Sequence, residues 1–454
     1  MSFPRYPEYK DSGVEWLDEV PSNWEVIPVR AFVEERTEKN SNADDENYLS
    51  LMANIGVIPY EQKGDIGNKK PDDLSKCKKV AVGDLVINSM NYGIGSYGIS
   101  GLKGVCSPVY IVLRPIEYKV SPRYALRIFE NREFQKLAQS FGQGILAHRA
   151  AISWDDLKGI KAPIPSSVEQ ANIAAFLDHE PALIDALVAE QQRLIELLKE
   201  KRQTVISHAV TKGLNPDVPM KDSGVEWLGE VPAHWEIRKL SSVTDKITNG
   251  YVGPTRGLFV DQGIPYLQSL HIKDNQIKFT PEYFVTKEWS DSHAKSILKP
   301  GDVLIVQTGD IGQIAVVPEG FPEANCHALI IASAIRCTLI GDWLAWLLYS
   351  DYGYHSLLSI KTGALHPHLN CGYVKDIHIP VPPIEEQTAI VDWIVDQQAG
   401  FMDLMFEAET MVGLLKERRS ALISAAVTGK IDVRGWQPPP GSSSSTETTT
   451  TEPA

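Results

Sequence analysis

The chain has 454 residues, of which 43% are hydrophobic. A chain of this length is too long for a single core and suits two to four domains. It contains no apolar run of about eighteen residues and no basic N-terminal region followed by an apolar stretch, so we expect neither a membrane span nor secretion and predict a cytoplasmic protein. The five cysteines form no CxxC pair, which argues against a disulfide framework or a zinc site.

The formal net charge of -14, taken alone, argues against a nucleic-acid partner. The acidic excess is unevenly distributed, however. Residues 20–162 and 231–379 together carry as many basic as acidic side chains, so the whole excess lies in the rest of the chain. Two large segments are therefore neutral and free to present local basic faces.

A sequence box that begins at Lys10, KDSGVEWLDEVPSNWEV, returns at Lys221 as KDSGVEWLGEVPAHWEI. The copies lie 211 residues apart, and thirteen of their seventeen positions are identical. Similarity of this length within one chain indicates an internal duplication, and the repeated unit is far longer than a solenoid repeat. We expect two globular halves related by approximate two-fold symmetry.

Each box is followed by a long segment in which short apolar runs alternate with turn residues. In both segments a Gly-Asp turn (Gly83-Asp84, Gly301-Asp302) leads into a β-branched strand, and a glycine-rich turn follows. A short helix, a polar loop and a strand ending in Pro-x-Pro come next. We predict two compact α/β domains with curved sheets, and hence a mixed α and β fold.

A long helix is predicted after each domain, over residues 163–213 and again from Pro380. Apolar side chains recur in alternating steps of four and three, a 3.5-residue period typical of helices packed along each other. The second seam lies 217 residues after the first, so we expect the two helices to be partners. Pro181, and Gly400 near the equivalent place, predict a kink or restart. The predicted seam consists of Ile173, Leu177, Ile184, Leu187, Leu194 and Leu198, and of Ile390, Ile394, Phe401, Leu404, Met411 and Leu415.

Motifs for catalysis are missing from the sequence. There is no GxxxxGK[ST] phosphate loop, no GxGxxG opening a helix and no HExxH. His366-Pro367-His368 lacks a third metal ligand at helical spacing, and Asp72 with Glu117 is only a weak nuclease-like pattern. We therefore predict a binding protein rather than an enzyme, with no metal and no cofactor of its own.

Polar loops at equivalent places in the two halves suggest DNA as the ligand. Lysines bind phosphates without sequence information, whereas Asn, Gln and Arg side chains supply the paired donors that read base edges. The candidate DNA-binding residues of the first half are Lys63, Lys69, Lys70, Asn88, Asn91, Tyr92, His148 and Arg149. Those of the second half are Tyr251, Thr255, Arg256, Gln268, His271, Gln307, Thr308, Lys361, His366 and His368.

The sequence closely resembles the specificity subunit of type I restriction-modification systems. The resemblance lies in the boxes, the junction PVPPIEEQTAI, the LLKEKR and LLKERR helices, and the AVTKG and AVTGK ends. The resemblance covers the chain except its tail. It implies two target recognition domains, each reading one half of a split, asymmetric DNA sequence, separated by two long antiparallel coiled-coil helices. The implied parts are a first box (1–19), recognition domain 1 (20–165), a central helix (166–213), a second box (214–230), recognition domain 2 (231–382) and a distal helix (383–430). The low-complexity end GSSSSTETTTTEPA separately predicts a disordered tail (431–454).

The resemblance also implies partners. Besides double-stranded DNA, these are two methyltransferase subunits and, through the complex, restriction subunits; S-adenosylmethionine, ATP and magnesium belong to those partners. Two other hypotheses stay open from the residues alone. One is a metal-dependent nuclease built on Asp72 and Glu117, and the other is a coiled-coil adaptor with no DNA contact, which the net charge favours and the polar loops disfavour.

Overall fold

The computed structural model describes residues 3–65, 69–142, 151–363 and 367–438. The chain divides into two compact units: unit 1 comprises residues 1–191 and 410–454, and unit 2 comprises residues 192–409. Each unit contains one copy of the duplicated box and a part of each long helix. We call residues 20–165 globular domain 1 and residues 231–382 globular domain 2.

The first half of the chain contains strands β1 (Tyr9–Asp11), β2 (Glu19–Pro21), β3 (Glu25–Pro28), β4 (Val33–Glu35), β5 (Leu49–Met52), β6 (Gly56–Pro59), β7 (Lys78–Val80), β8 (Leu85–Asn88), β9 (Tyr97–Ile99), β10 (Gly104–Cys106), β11 (Tyr110–Pro115) and β12 (Lys161–Ile164). Its helices are α1 (Pro122–Glu130), α2 (Arg132–Phe141), α3 (Trp154–Leu157) and the long α4 (Ser167–Lys212).

The second half contains strands β13 (Met220–Asp222), β14 (Glu230–Pro232), β15 (Glu236–Lys239), β16 (Thr244–Asn249), β17 (Ile264–Leu267), β18 (Ile272–Lys273), β19 (Gln276–Ile277), β20 (Phe284–Val285), β21 (Val303–Val306), β22 (Ile314–Val316), β23 (Asn325–Cys326), β24 (Leu329–Ala334) and β25 (His378–Val381). Its helices are α5 (Lys287–Ser292), α6 (Gly341–Tyr349), α7 (Asp351–Ser359), α8 (Cys371–Val374) and the long α9 (Ile384–Val427).

Each globular domain is built around an antiparallel four-stranded sheet. The strand order is β4-β11-β8-β9 in unit 1 and β16-β24-β21-β22 in unit 2. In each sheet the Gly-Asp turn leads into the third strand of this order, β8 or β21. The turn is closed by the aspartate, since Asp84 and Asp302 accept a hydrogen bond from the backbone N–H three residues earlier, at 2.8 and 2.9 Å. The glycines have φ of 89° and 86°, a left-handed conformation that favours glycine. The prediction of a mixed fold is confirmed.

Each globular domain closes beside its long helix. In unit 1 the strand after the box, β3, pairs with β12, which leads into α4; in unit 2 β15 pairs with β25, which leads into α9. Chain entry and exit are therefore neighbours in both domains. Ser166 caps α4 as its sequence predicts, since its hydroxyl accepts from the Glu169 N–H at 3.4 Å.

Both long helices are uninterrupted, so the predicted restart at Pro181 or Gly400 does not occur. Helix α4 has 46 residues and α9 has 44. Proline removes a single hydrogen bond from a helix with many others, and a glycine inside a helix costs only about 1 kcal/mol relative to alanine. Unit 1 contains the beginning of α4 and the end of α9, and unit 2 the reverse, which is the order of an antiparallel pair.

The predicted helix seam is buried only towards the outer ends of the helices. Ile173 and Leu177 belong to the hydrophobic core of unit 1, and Ile390 and Ile394 to that of unit 2. Nearer the middle, Leu187, Leu194, Leu404 and Met411 are exposed, by 42 to 52%. Of the others, Ile184 is buried and Leu198, Phe401 and Leu415 are half-buried. The chain alone therefore does not form a continuous buried seam, because the central residues lie outside both cores.

Candidate nucleic-acid interface

The candidate residues of unit 2 gather at one edge of its sheet. Strands β16 and β21 both run antiparallel to β24, so they end at the same edge, beside the start of β24. Gly250 N–H donates to the Leu329 carbonyl at 2.7 Å from one side, while Val306 pairs with Leu329 from the other. The residues that follow, Tyr251 and Gln307, therefore flank the first residue of β24.

A polar strip continues this edge beyond β21. Gln307 Nε2 donates to the Leu369 carbonyl at 3.0 Å, and Leu369 N–H donates to the Gln307 carbonyl at 2.9 Å. Thr308 forms a bridge with His368, whose backbone also pairs with Thr362, the neighbour of Lys361. The structure thus brings Gln307, Thr308, Lys361 and His368 together, and the last three are exposed.

On the other side of β24, Tyr251 belongs to a group of aromatic rings. Its ring packs edge-on against Trp289 and His293, with centroids 5.1 and 5.0 Å away, while Trp289 and His293 stack at 4.0 Å. His327 lies 6.2 Å from Tyr251, and burial lowers its pKa. The sequence analysis missed Trp289, His293 and His327, because no local pattern links α5 and the start of β24 to Tyr251.

The other candidates of unit 2 range from buried to exposed. His271 is fully buried; its Nδ1 accepts from Gln268 N–H at 2.9 Å and its Nε2 donates to the Pro281 carbonyl at 2.8 Å. Burial lowers the pKa of the ring. Because it is buried and bonded on both nitrogens, His271 is a core residue rather than a surface contact. Gln268 and Thr255 are half-buried, whereas Arg256 is exposed and has no ion-pair partner in the described parts of the chain.

Unit 1 has a corresponding edge, where β4 and β8 flank β11. Asn88 ends β8 opposite Tyr110 and is largely buried, with Oδ1 accepting from Met90 N–H at 3.1 Å. Tyr92 is a core residue, since it is 1% exposed and its hydroxyl donates to the Phe129 carbonyl at 2.6 Å. Asn91, half-buried, remains at the edge. The candidate role of Tyr92 at the DNA surface is therefore not supported by its position.

Exposed apolar side chains accompany this edge of unit 1, and the sequence analysis did not single them out. They lie on the β5–β6 turn and on the loop after β8, which are joined by a 2.9 Å hydrogen bond from Asn54 N–H to the Gly95 carbonyl. These side chains are Ile55, Met90 and Ile94.

The three candidate lysines of this half have different surroundings. Lys63 is buried, with its ammonium 4.8 Å from the centre of the Tyr60 ring, whereas Lys69 and Lys70 are exposed. His148, Arg149 and His366 lie outside the described residues, as does the tail beyond residue 438. The predicted start of the disordered tail at residue 431 is wrong, because Val433 belongs to the core of unit 1 and the Trp436 ring packs on Phe176 at 5.4 Å.

Glutamines at the start of the long helices attach each globular domain. In unit 1, Gln170 accepts from Ser121 N–H at 2.9 Å and donates to the Lys119 and Pro165 carbonyls at 2.9 and 3.0 Å. In unit 2, Gln387 makes the same set of bonds with Ile340, Thr338 and Pro382, at 2.9, 2.9 and 2.8 Å. Both side chains are buried. We call this arrangement the glutamine clamp.

The described residues contain no group of three or more His, Cys, Asp or Glu side chains that could hold a metal ion. Asp72 and Glu117, the basis of the nuclease hypothesis, are both exposed. Within the same described ranges, no helix is both long and apolar enough to cross a lipid bilayer.

The fold defines a duplicated protein, in which the corresponding sheet edges of the two halves carry different side chains. A family model described as the type I restriction modification DNA specificity domain matches residues 21–198 and 232–404. Because these matches span most of the chain, it belongs to the family of type I restriction-modification specificity subunits. The predicted class is confirmed, and members of this class are non-catalytic components that recognise DNA.

Relatives and solved structures agree with this assignment. The MjaVIII specificity subunit of Methanocaldococcus jannaschii is 22% identical over 91% of this chain and 94% of its own length. The EcoKI specificity subunit of Escherichia coli K12 is 23% identical over 82% and 81%. A chain from a type I restriction-modification complex matches with a TM-score of 0.70 at 16% identity, over 90% of this chain and 98% of that one. The HsdS subunit from Thermoanaerobacter tengcongensis has a TM-score of 0.52 at 16% identity, over 91% and 98%.

Proposed function

We propose that this chain selects the DNA sequence for a type I restriction-modification complex, with the sheet edge of each unit reading one half of a bipartite target. One observation carries the proposal: the two units hold their domains on the long helices by the same glutamine clamp, yet present different side chains at the equivalent edge. Such a molecule keeps a common frame while its two reading surfaces diverge.

The chemistry of the two edges supports an asymmetric target. In unit 2, the exposed Thr308 and His368 offer hydrogen-bond donors and acceptors suited to base edges, while Gln307 holds the strip through its bond to the Leu369 carbonyl. In unit 1, Asn91 lies beside the exposed side chains of Met90 and Ile94, and apolar groups of this kind contact the methyl group of thymine. Exposed cations such as Lys69, Lys70 and Arg256 would add contacts to phosphates.

The partners in the proposal are two methyltransferase subunits and, through them, restriction subunits. Apolar side chains along the middle of the long helices support a protein partner there, because exposed apolar surface of this extent is characteristic of interaction sites. On α4 they are Leu183, Leu187, Leu194 and Leu197, and on α9 they are Val395, Met402, Leu404, Phe406, Met411 and Leu414. S-adenosylmethionine, ATP and magnesium would be bound by those partners, in the cytoplasm, and none by this chain.

The test is to co-express the chain with a cognate adenine methyltransferase subunit and to map methylation of random-sequence duplex DNA base by base. We expect modification at a single bipartite, asymmetric motif. Modification without such a motif would contradict the proposal. Failure of the two proteins to form a complex on a sizing column would instead favour an adaptor role.

A variant assigns one half of the motif to unit 2. Arg256→Ala should weaken specific binding by about 1–3 kcal/mol if the guanidinium reaches a base, and should relax the motif only in one half-site. A uniform loss across all sequences would show that Arg256 contacts phosphate instead.

A further inference from the structure

A second cluster of side chains, away from the sheet edges, lies in each unit where the helix after the sheet meets the long helices. In unit 1 it centres on Arg419 of α9. Its Nε lies 2.8 Å from Asp185 of α4, and its Nη2 lies 3.4 Å from Glu130, the last residue of α1. Glu130 is also paired with Arg127, which in turn contacts Asp178 of α4. The Glu130 and Arg127 side chains are only 11 and 13% exposed, so these charges depend on one another.

The glutamine clamp shows which residues of unit 2 are equivalent. Matching Gln170 with Gln387, and Ser121 with Ile340, gives offsets of 217 residues along the long helices and 219 between α1 and α6. With these offsets Arg419 corresponds to Arg202, and Glu130 to Tyr349, the last residue of α6. Arg202 Nη2 donates to the Tyr349 hydroxyl at 2.8 Å.

The rest of the charged cluster is replaced in unit 2. The positions of Arg127, Asp178 and Asp185 are taken by Trp346, Val395 and Met402. These three side chains line a cleft of about 940 Å³ together with Arg202 and Tyr349. Three ionic side chains have thus become apolar, while the arginine and its contact with the end of the short helix are retained. A contact that survives such a change of surroundings is the part the two units share.

The helices α1 and α6 are consequently held at both ends. At the N-terminal end, the clamp glutamine accepts a hydrogen bond from the N–H of the residue before the helix. At the C-terminal end, the arginine contacts the last residue of the helix. A nine-residue helix is about 13 Å long, so the clamp alone would leave its far end free to tilt. There the arginine acts together with the Arg127–Asp178 pair in unit 1 and, in unit 2, with Gln203, whose Nε2 donates to the Tyr349 carbonyl at 2.9 Å. A tilt of a few degrees there displaces the sheet edge, because the sheet packs on the same helix.

We propose that Arg419 and Arg202 are positioning residues for DNA reading. Each fixes the orientation of its globular domain on the long helices, and together they limit the number of base pairs that the complex accepts between the two half-sites. This inference rests on the proposed function, because it assumes that each domain reads one half-site.

The test uses the full chain assembled with its methyltransferase subunits and a set of duplexes in which both half-sites are kept and the spacer length varies. Wild type should modify one spacer length preferentially. Arg419→Gln and Arg202→Gln should each raise modification of spacers one base pair longer or shorter, relative to the preferred one, about five-fold or more. Arg418→Gln, which changes an exposed neighbour of Arg419, serves as the control.

The possible outcomes separate positioning from stability. If a variant loses overall activity but keeps the wild-type ratio between spacers, the arginine only stabilises the fold and the proposal is overturned. Arg419→Lys keeps a charge near Glu130 and should give an intermediate ratio; it replaces Arg419→Gln should that variant not assemble. If the wild-type complex shows no bipartite motif, the proposed function itself fails. The wild-type measurement reveals this before any variant is compared.

Discussion

Unit 1 and unit 2 share the glutamine clamp to the backbone and differ in several contacts between side chains. The glutamine clamp, which binds only backbone groups, has the same three partners in both. The tryptophan near the end of each box has different partners in the two units. Trp24 Nε1 donates to Glu169 at 3.2 Å, whereas Trp235 Nε1 has no partner among the described residues. Glu386, the counterpart of Glu169, pairs with His234 at 2.7 Å, as Glu169 does with Asn23 at 3.1 Å, but lacks the indole contact.

This difference shows what a duplication preserves. A bond to the backbone is insensitive to substitutions elsewhere, because every residue type supplies the same carbonyl and, proline apart, the same N–H group. A bond between two side chains persists only where the new pair can still bond, as Arg202 and Tyr349 do in place of Arg419 and Glu130. Most of the shared frame of the two units is therefore expected in their backbone-directed contacts.

The largest effect is expected from removing the clamp. Gln387→Ala would leave the Ile340 N–H and the Thr338 and Pro382 carbonyls without their partner, at a cost of about 2–4 kcal/mol for buried groups. Gln170→Ala should cost the same within about 1 kcal/mol, because its partners are equivalent. Hydrogen exchange of amides in α6 and β25, or in α1 and β12, measures the loss in each unit separately.

Thr388→Ala, an exposed change on the next residue of α9, provides the control and should leave the exchange of α6 unaltered. A large effect in one unit and none in the other would break the comparison, since it would show that only one clamp holds its domain.

Some of these features are predictable from the sequence, and the reason is that they are local. The 3.5-residue period predicts both long helices, the Gly-Asp pairs predict the turns into β8 and β21, and Ser166 with Glu169 predicts a helix cap. Each depends on residues a few positions apart.

Burial in the loops is not predictable in this way. Tyr92 and His271 read as polar loop residues, yet both are buried by partners outside any local pattern, among them the Phe129 and Pro281 carbonyls. The seam shows the opposite case. Leu187 and Leu404 fit the helical period, but periodicity does not indicate whether anything covers a given stretch of helix.

A smaller effect is expected from the paired variants Trp24→Phe and Trp235→Phe. Both leave a similar gap in a fully buried site. Trp24→Phe also removes a donor from Glu169, a buried side chain, whereas Trp235→Phe removes a buried N–H group that has no partner in the described chain. Trp24→Phe should therefore destabilise unit 1 by about 1–2 kcal/mol more than Trp235→Phe destabilises unit 2. Equal losses, measured by hydrogen exchange in β3 and β15, would mean that the indole bond contributes nothing.

The smallest effect concerns pH. Burial lowers the pKa of His271 and His327 in unit 2, so the unfolded chain binds protons at these positions at a higher pH than the folded one does. Their contribution to stability is complete above about pH 6.5, the usual histidine pKa, and is lost as the pH falls towards the lowered values. The described part of unit 1 contains no fully buried histidine.

Between pH 7 and pH 5.5, hydrogen exchange corrected for the intrinsic pH dependence should therefore show greater loosening in β17 and β24 than in β8 and β11. His327→Asn should remove part of this difference, because asparagine does not titrate. An equal response of both units would place the acid sensitivity outside these two histidines. A greater response confined to unit 2, and reduced by His327→Asn, would show that burial of these imidazole rings makes unit 2 sensitive to acid.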